Sequence, residues 1–190
     1  MVNIKIRVAA PDDASELLEI YSYYVTGTAI TFEDEVPTKE EFERRIRVVL
    51  ENYPYLVAMV DGKIAGYAYA GEFKARAAYR WNVETSIYIH KDYRRMGIGQ
   101  ALYEELERLL KAQKILNMNA CIAYPVEEDE YLTKDSVRFH EKMGFDMGGE
   151  FHNSGYKFNR WYNMVWMEKH IGDHLENPLP VIPFREIKKE

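Results

Sequence analysis

Two stretches of the sequence carry residue types that could do chemistry. In the first, Val83-Glu84-Thr85-Ser86-Ile87-Tyr88-Ile89, one face holds Val83, Thr85, Ile87 and Ile89 and the other holds Glu84, Ser86 and Tyr88. A period of two predicts a strand. A carboxylate in mid-strand is unfavourable unless it meets a ligand or a cation, and Arg76 and Arg80 are the nearest arginines along the chain. The second stretch is the basic loop Lys91-Asp92-Tyr93-Arg94-Arg95-Met96-Gly97-Ile98-Gly99, which leads into a helix. Glycines let a backbone approach an anion closely, and the free amides at a helix start face it with the positive end of the dipole, so the loop can cradle phosphate. Gln100-Ala101 stands where a P-loop needs Lys-Ser/Thr, and Leu102 stands where a dinucleotide fingerprint needs its third glycine. His170 and His174 have i,i+4 spacing but no third ligand nearby except Asp173, so no metal is expected. Cys121 lies in an apolar run and is expected to be buried and inert.

These residues need elements to position them. Val2 to Ala9 alternates apolar and polar, with Ile4, Ile6 and Val8 on one face, and predicts a first strand. Pro11 with Asp12 and Asp13 opens a helix striped by Ala14, Leu17, Leu18 and Tyr21. Thr38 and Glu41 form a capping-box pattern for a second helix with Phe42, Ile46, Val49 and Leu50 inward. Tyr55 to Val60, the pair Asp61-Gly62 and Lys63 to Ala70 predict a β-hairpin, since Asp-Gly supplies the positive φ angles of a tight turn. Trp81 to Ile89 is the strand that carries Glu84, and the helix leaving the basic loop turns Leu102, Leu106, Leu109 and Leu110 inward. Asn117 to Ala123 is a short strand, Asp135 starts a helix that Gly144 stops, and Trp161 to Lys169 is a last strand. A further strand has room around Phe145 to Phe151. After Gly172 the chain has Pro178, Pro180 and Pro183 and no periodicity, which predicts an extended tail packed on the surface or on a partner.

The chain has 190 residues, about one domain at roughly 150 residues each. With 47% hydrophobic and 29% charged residues it can bury a core. A single cysteine excludes a disulfide framework and suits a reducing compartment. The uncharged stretch Ile20 to Phe32 has 13 residues, several of them polar, too few to span a bilayer, which needs about 20. Asp12, Asp13, Glu16 and Glu19 interrupt any signal-peptide core, so the protein is expected in the cytoplasm. A net charge of −6 argues against nucleic acid and anionic membranes as partners. An anionic ligand must be held locally, by Lys91, Arg94, Arg95 and the amides beside them. The 15 Tyr, 8 Phe and 3 Trp, 14% of the chain, could serve core, pocket or interface.

Arg94-x-x-Gly97-x-Gly99 resembles the acyl-CoA pyrophosphate loop of the GNAT N-acetyltransferases, and the element order resembles their fold over residues 1 to about 170. Four further motifs, in order, resemble the phosphinothricin acetyltransferase branch. They are Thr31-Phe32-Glu33, Val83-Glu84-Thr85-Ser86-Ile87-Tyr88, Ser136-Val137-x-Phe139-His140-Glu141-Lys142-x-Gly144-Phe145 and Gly155-Tyr156-Lys157-Phe158-x-Arg160-Trp161. The resemblance implies an α/β (α+β) GNAT fold, a mixed central β-sheet flanked by helices, as a single domain over residues 1–170 with an extended tail over 171–190. It implies acetyl-CoA as cosubstrate, bound at the strand-loop-helix, and no metal. Its pantetheine would pair with the strand at Ile87, Tyr88 and Ile89. The amides of Arg95, Met96, Gly97, Ile98 and Gly99 would hold the pyrophosphate, with Arg94 adding charge. Thr133 stands where many members of the branch carry Asn, so that cofactor contact would come from Asp135 or Ser136, or be absent.

The resemblance also assigns roles in catalysis. Glu84 occupies the general-base position, taking the amine proton directly or through water, and a strand amide would stabilise the oxyanion. His140 fills the place where many relatives use Tyr to protonate the departing thiolate, and is either that acid or a packed structural histidine. Transfer would be direct, in a ternary complex, without an acyl-enzyme. The acceptor implied is a small-molecule amine, an amino acid or an analogue of the phosphinothricin or methionine sulfone and sulfoximine type. Arg76 and Arg80 would hold its carboxylate, with Phe32, Tyr79 and Lys157 lining the pocket. The cluster Trp161, Tyr162 and Trp166 is core or the contact of an expected homodimer. Two other readings remain: a GNAT enzyme acting on a protein N-terminus, lysine or polyamine, and an acyl-CoA-binding module without catalysis.

Overall fold

The alternating segments become strands and the striped ones helices in the computed structural model, which describes residues 3–187; Met1, Val2 and residues 188–190 of the expected tail lie outside it. β1 (Ile4–Val8), β2 (Tyr55–Val60), β3 (Lys63–Glu72), β4 (Asn82–Ile89), β5 (Asn117–Tyr124), β6 (Asp146–Lys157) and β7 (Arg160–His170) form one seven-stranded sheet in the order β1-β2-β3-β4-β5-β7-β6. β4 and β5 run parallel and every other neighbouring pair is antiparallel. Asp61 and Gly62 take φ of 49° and 80° in the β2–β3 turn, the pair of positive angles that the hairpin reading requires. β6 is longer than the strand expected around Phe145 to Phe151 and forms one edge of the sheet.

Two helices cover each face. α1 (Ala14–Gly27) begins later than the start expected at Pro11. Pro11–Asp13 forms a 3-10 turn instead, in which the Asp13 carboxylate accepts from the Ala10 amide at 2.7 Å and pairs with Arg7 at 2.7 Å. α2 (Lys39–Asn52) is capped by Thr38, whose Oγ1 accepts the Glu41 amide at 3.2 Å. Ala14, Leu17, Phe42 and Ile46 of these helices are buried against the sheet. α3 (Ile98–Ala112) and α4 (Asp135–Lys142) cover the other face, where Leu102, Leu106, Leu109 and Leu110 pack with Val83 and Met118. Gly144, at φ 83°, ends α4.

Much of the tyrosine content is core. Tyr21, Tyr24, Tyr55 and Tyr67 are buried between α1, α2 and the sheet, with Tyr69 and Tyr88 packed against them. Tyr55 stacks on Tyr69 at 4.8 Å, and Tyr88 meets Tyr21 and Tyr24 edge-on at 5.1 Å, geometries that suit the ring quadrupole. Burial raises the Tyr55, Tyr67 and Tyr88 hydroxyls, which therefore stay protonated.

Beyond β7 the chain is extended, apart from a 3-10 turn at Phe184–Glu186, and lies on the body. Trp81 Nε1 donates to the Leu179 carbonyl at 2.8 Å, the Ile182 amide donates to the Gln113 carbonyl at 2.9 Å, and Phe184 is buried. Among the described residues no helix is long and apolar enough to cross a membrane.

Candidate active site

The sheet parts between β4 and β5. β4 pairs with β3 from Val83 to Ile89, but with β5 only from Asn82 to Glu84. Side chains close the ladder at that point: Thr85 Oγ1 donates to the Asn119 carbonyl at 3.1 Å, and Asn119 Nδ2 donates to the Val83 carbonyl at 3.1 Å. Beyond it a solvent-open cleft of about 450 Å³ is lined by Thr85, Ser86, Ile87, Cys121, Ser136 and His140.

Strand alternation decides which backbone groups face this cleft. The His90 amide donates to Ala65 of β3, so Ile89 and Ile87 present their amides and carbonyls to the opposite side. Ile89 is already engaged, because the Tyr24 hydroxyl accepts from its amide at 3.2 Å and donates to its carbonyl at 2.6 Å. Tyr88 pairs with Tyr67 of β3. Of the three strand residues expected to meet a cofactor, Ile87 alone therefore has backbone groups facing the cleft without a strand or side-chain partner.

The loop after β4 turns twice through left-handed backbone, at Arg95 (φ 61°) and Gly97 (φ 82°), before α3 starts at Ile98. A Cβ on Gly97 would meet nothing within 4 Å, so the main chain is bare there. Gly99 differs, because a Cβ on it would lie 3.0 Å from the Phe139 ring of α4. Arg94 rests over the Tyr23 and Tyr24 rings at 5.3 and 5.4 Å, and the exposed Arg95 reaches Asp135 at 3.9 Å. An unpaired strand edge leading to bare amides and cations at a helix start fits an elongated ligand with an amide-bearing arm and a pyrophosphate.

Glu84 is half-buried and is the last β4 residue paired with β5, next along the strand to Thr85 of the cleft lining. Desolvation raises its carboxyl above the usual range, and the charge of Lys74 partly opposes the shift. The ion pair with Arg76 or Arg80 is not formed; Arg80 Nε donates to the Ala77 carbonyl at 2.7 Å, and its guanidinium lies over the Trp81 ring at 5.1 Å. Lys74 was not singled out from the sequence, although it lies in the same β3–β4 connection as the two arginines. Its ammonium stands 5.0 Å from the Phe73 and Trp166 ring centres.

Cys121 corrects the sequence reading: it is exposed, not buried. It lies two residues beyond Asn119, the last β5 residue paired with β4, so the parting of the strands uncovers it. Partial desolvation and the nearby Glu84 charge push its thiol up to about 11, so it is protonated at neutral pH.

His140 Nδ1 donates to the Ser136 carbonyl at 2.7 Å, which leaves Nε2 as an acceptor. The Tyr103 hydroxyl lies 2.9 Å from that nitrogen and 3.3 Å from Thr85 Oγ1. Tyr103 was hidden from sequence reading inside the apolar stripe of α3. Burial lowers His140 to about 4, so its ring is neutral at neutral pH. The unfolded chain protonates this group near 6.5 and the native state only near 4. Stability is therefore expected to fall as pH drops through that window and to level off below it. In His140→Gln the decline should shrink, read by chemical denaturation at intervals between pH 7 and 4; an unaltered slope would assign the proton uptake elsewhere.

The residues expected around an acceptor divide into three groups. Phe32 and Tyr79 are 37% and 41% exposed, so neither is ordinary core. Arg76 and Arg80 are exposed on the 3-10 segment before β4. Lys157 is a correction: it is buried, and its ammonium donates to the carbonyls of Val25, Thr31 and Glu33 at 2.7, 2.8 and 2.9 Å, which uses all three N–H bonds. The aromatic cluster also splits, with Trp161 exposed beside Tyr156, Tyr162 buried with its hydroxyl donating to Asp129, and Trp166 against Phe73. The His170 and His174 rings lie 4.8 Å apart, and the described residues contain no group of three or more His, Cys, Asp or Glu suited to a metal.

Residues 6–166 match the family model described as an acetyltransferase (GNAT) domain. The chain belongs to the GNAT acetyltransferase family. This acetyltransferase is 32% identical over 184 residues to the phosphinothricin N-acetyltransferase of Streptomyces viridochromogenes, covering 97% of this chain and 94% of that one. It is 29% identical over 170 residues to the L-methionine sulfoximine/L-methionine sulfone acetyltransferase of Salmonella typhimurium, covering 89% and 95%. It superposes with a TM-score of 0.84 on the crystal structure of a GNAT superfamily phosphinothricin acetyltransferase from Sinorhizobium meliloti in complex with acetyl-CoA, at 33% identity over 95% of this chain and 96% of that one. The fold and the family expected from the five motifs are borne out.

Proposed function

We propose that this acetyltransferase transfers the acetyl group of acetyl-CoA to the amine of a small amino acid or analogue of the phosphinothricin or methionine sulfone type, by direct attack within a ternary complex. The observation that carries the reading is a desolvated carboxylate, Glu84, on the last β4 residue paired with β5, where the two strands part. The names of the relatives point to the same class of acceptor.

The backbone of Ile87 pairs with the pantetheine, and the amides from Arg95 to Gly99 face the pyrophosphate, with Lys91 and Arg94 supplying charge and Ser136 the opposite wall. Bound acetyl-CoA supplies an acetyl group activated as a thioester. Glu84 accepts the proton of the incoming ammonium, and its raised pKa narrows the gap between base and amine. Lys74, Arg76 and Arg80 attract the anionic end of the acceptor, and Phe32 and Tyr79 flank it. The low pKa of His140 removes it as a charged acid at neutral pH; its neutral ring orients the Tyr103 hydroxyl at the cleft floor.

A thiol-release screen tests this. CoA release is expected with phosphinothricin, methionine sulfone or methionine sulfoximine. Release only with peptides or polyamines favours a macromolecular or polyamine acceptor, and no release with any amine favours a binding module.

A homodimer is part of the same proposal, supported by the exposed apolar side chains Met147, Phe151, Tyr156 and Trp161 on the β6–β7 hairpin. Sedimentation velocity at micromolar concentration is expected to give twice the 22.4 kDa chain mass, and a 22.4 kDa species overturns it. A single unpaired cysteine suits the cytoplasm.

A further inference from the structure

Lys157 is an ammonium only 6% exposed, at the end of an edge strand. Its three carbonyl partners, Val25, Thr31 and Glu33, belong to the last turn of α1 and the α1–α2 connection, 124 to 132 residues away along the chain. A buried ammonium must place each of its three N–H bonds, and carbonyls at a helix end and in a connection lack partners of their own. The match is reciprocal. The charges of Glu33 and Asp34 favour the protonated form against the burial that lowers its pKa.

The connection is held at further points, among them the Ala29 amide, which donates to the Tyr131 carbonyl at 3.0 Å. The Tyr21 hydroxyl and Thr31 Oγ1 lie 2.9 Å apart, and Arg45 Nη1 donates to Glu33 Oε1 at 2.8 Å. Phe32 projects between the pinned residues Thr31 and Glu33. Its ring is seated on Gly155, two residues before Lys157, at a position where any Cβ would overlap the ring. One short piece of β6 thus anchors the connection through Lys157 and accommodates its aromatic side chain through Gly155.

We infer that Lys157 is a positioning residue for the acceptor. By gathering three carbonyls at one point it fixes the α1–α2 connection, keeps Phe32 as a wall of the acceptor side, and sets acceptor affinity without touching either substrate. The inference rests on the proposed placement of the acceptor beside Phe32. Lysine suits the task because its N–H bonds diverge from one atom toward three separated oxygens, whereas the planar fork of arginine matches a single bidentate partner.

The test uses the full chain with Lys157→Met, Lys157→Arg, Gly155→Ala and Phe32→Ala, and L-methionine sulfone as acceptor. Amide hydrogen exchange over residues 28–36 is expected to accelerate by about 10-fold or more in Lys157→Arg, as local opening becomes easier. The KM for the sulfone is expected to rise about 10- to 100-fold in Lys157→Arg and Gly155→Ala. The Kd of acetyl-CoA, measured by calorimetry, should stay within about 2-fold, because the cofactor loop is a separate site. Should Lys157→Met fail to fold, the arginine and alanine variants carry the comparison. Wild-type exchange in Lys157→Arg overturns the anchoring role, as does a loss of acetyl-CoA affinity equal to the rise in KM. Accelerated exchange with an unchanged KM there and in Phe32→Ala instead refutes the placement of the acceptor beside Phe32.

Discussion

Glu84→Gln is expected to lower turnover with phosphinothricin or methionine sulfone by about 10²- to 10⁴-fold, the range usual for loss of a general base. The Kd of acetyl-CoA should hardly change. The substitution is nearly isosteric, and the loop proposed to face the pyrophosphate lies beyond the far end of β4. Calorimetry with CoA beside steady-state thiol release separates the two effects; an unchanged rate would remove Glu84 from the mechanism. The pH profile adds a second reading. Desolvation raises the Glu84 carboxyl, so the acid limb of kcat/KM should lie above its ordinary value of 4.5 and disappear in the glutamine variant. Lys74 is the charge that lowers this pKa, so in Lys74→Met the limb should move to higher pH. A limb that stays in place would mean that Lys74 does not act on Glu84.

Gly97→Val should act on the cofactor and leave the chemistry of bound substrates largely intact. Gly97 sits at φ 82° with open space around its Cα, so the obstacle to a side chain is backbone strain and not crowding. A β-branched residue held in that region costs about 1–3 kcal/mol. If the loop relaxes to negative φ, its amides turn away from the phosphate position, and the Kd of acetyl-CoA should rise roughly 10- to 100-fold. Gly99→Val should behave differently, because its side chain meets Phe139, and a fall in Tm should accompany weaker binding. Full acetyl-CoA affinity in Gly97→Val would falsify the assignment of the loop. The sequence presents the two glycines as one motif; the structure gives one to the turn and the other to the packing of α3 on α4.

The parts of the fold that were legible share a property: their signals are local. Asp61-Gly62 dictates its turn through two positive φ angles, Thr38 caps α2 three residues away, and the leucines of α3 mark its buried face by spacing alone. The Arg94-x-x-Gly97-x-Gly99 motif is local too, which is why a candidate site for an anion could be proposed for a chain of net charge −6. The start of α1 was misplaced by one turn because Pro and acids favour either kind of first turn, and the Asp13 bonds to Ala10 and Arg7 select the 3-10 form.

The candidate site was legible as a set of residues and less so as an arrangement. Alternation along β4 correctly put Glu84 on the face opposite Val83, yet it could not reveal that β5 leaves β4 after Asn119. That divergence exposes Cys121, opens the cleft and keeps Ile87 unpaired. Lys157 looked like a pocket lysine because its partners are main-chain carbonyls, which no side-chain pattern records. Tyr103 and His140 form one hydrogen-bonded pair from two helices, and neither helix alone predicts it.

The sequence by itself determined the order of elements, the family motifs, a loop proposed to bind phosphate and a mid-strand carboxylate in need of a purpose. Only the tertiary structure decided that six of the 15 tyrosines pack between α1, α2 and the sheet, that His140 is neutral, and that Lys157 ties β6 to the connection bearing Phe32. The physical reason is common to all three. Burial, pKa and hydrogen-bond satisfaction depend on what stands opposite a residue in space, and here the opposing groups come from elsewhere along the chain.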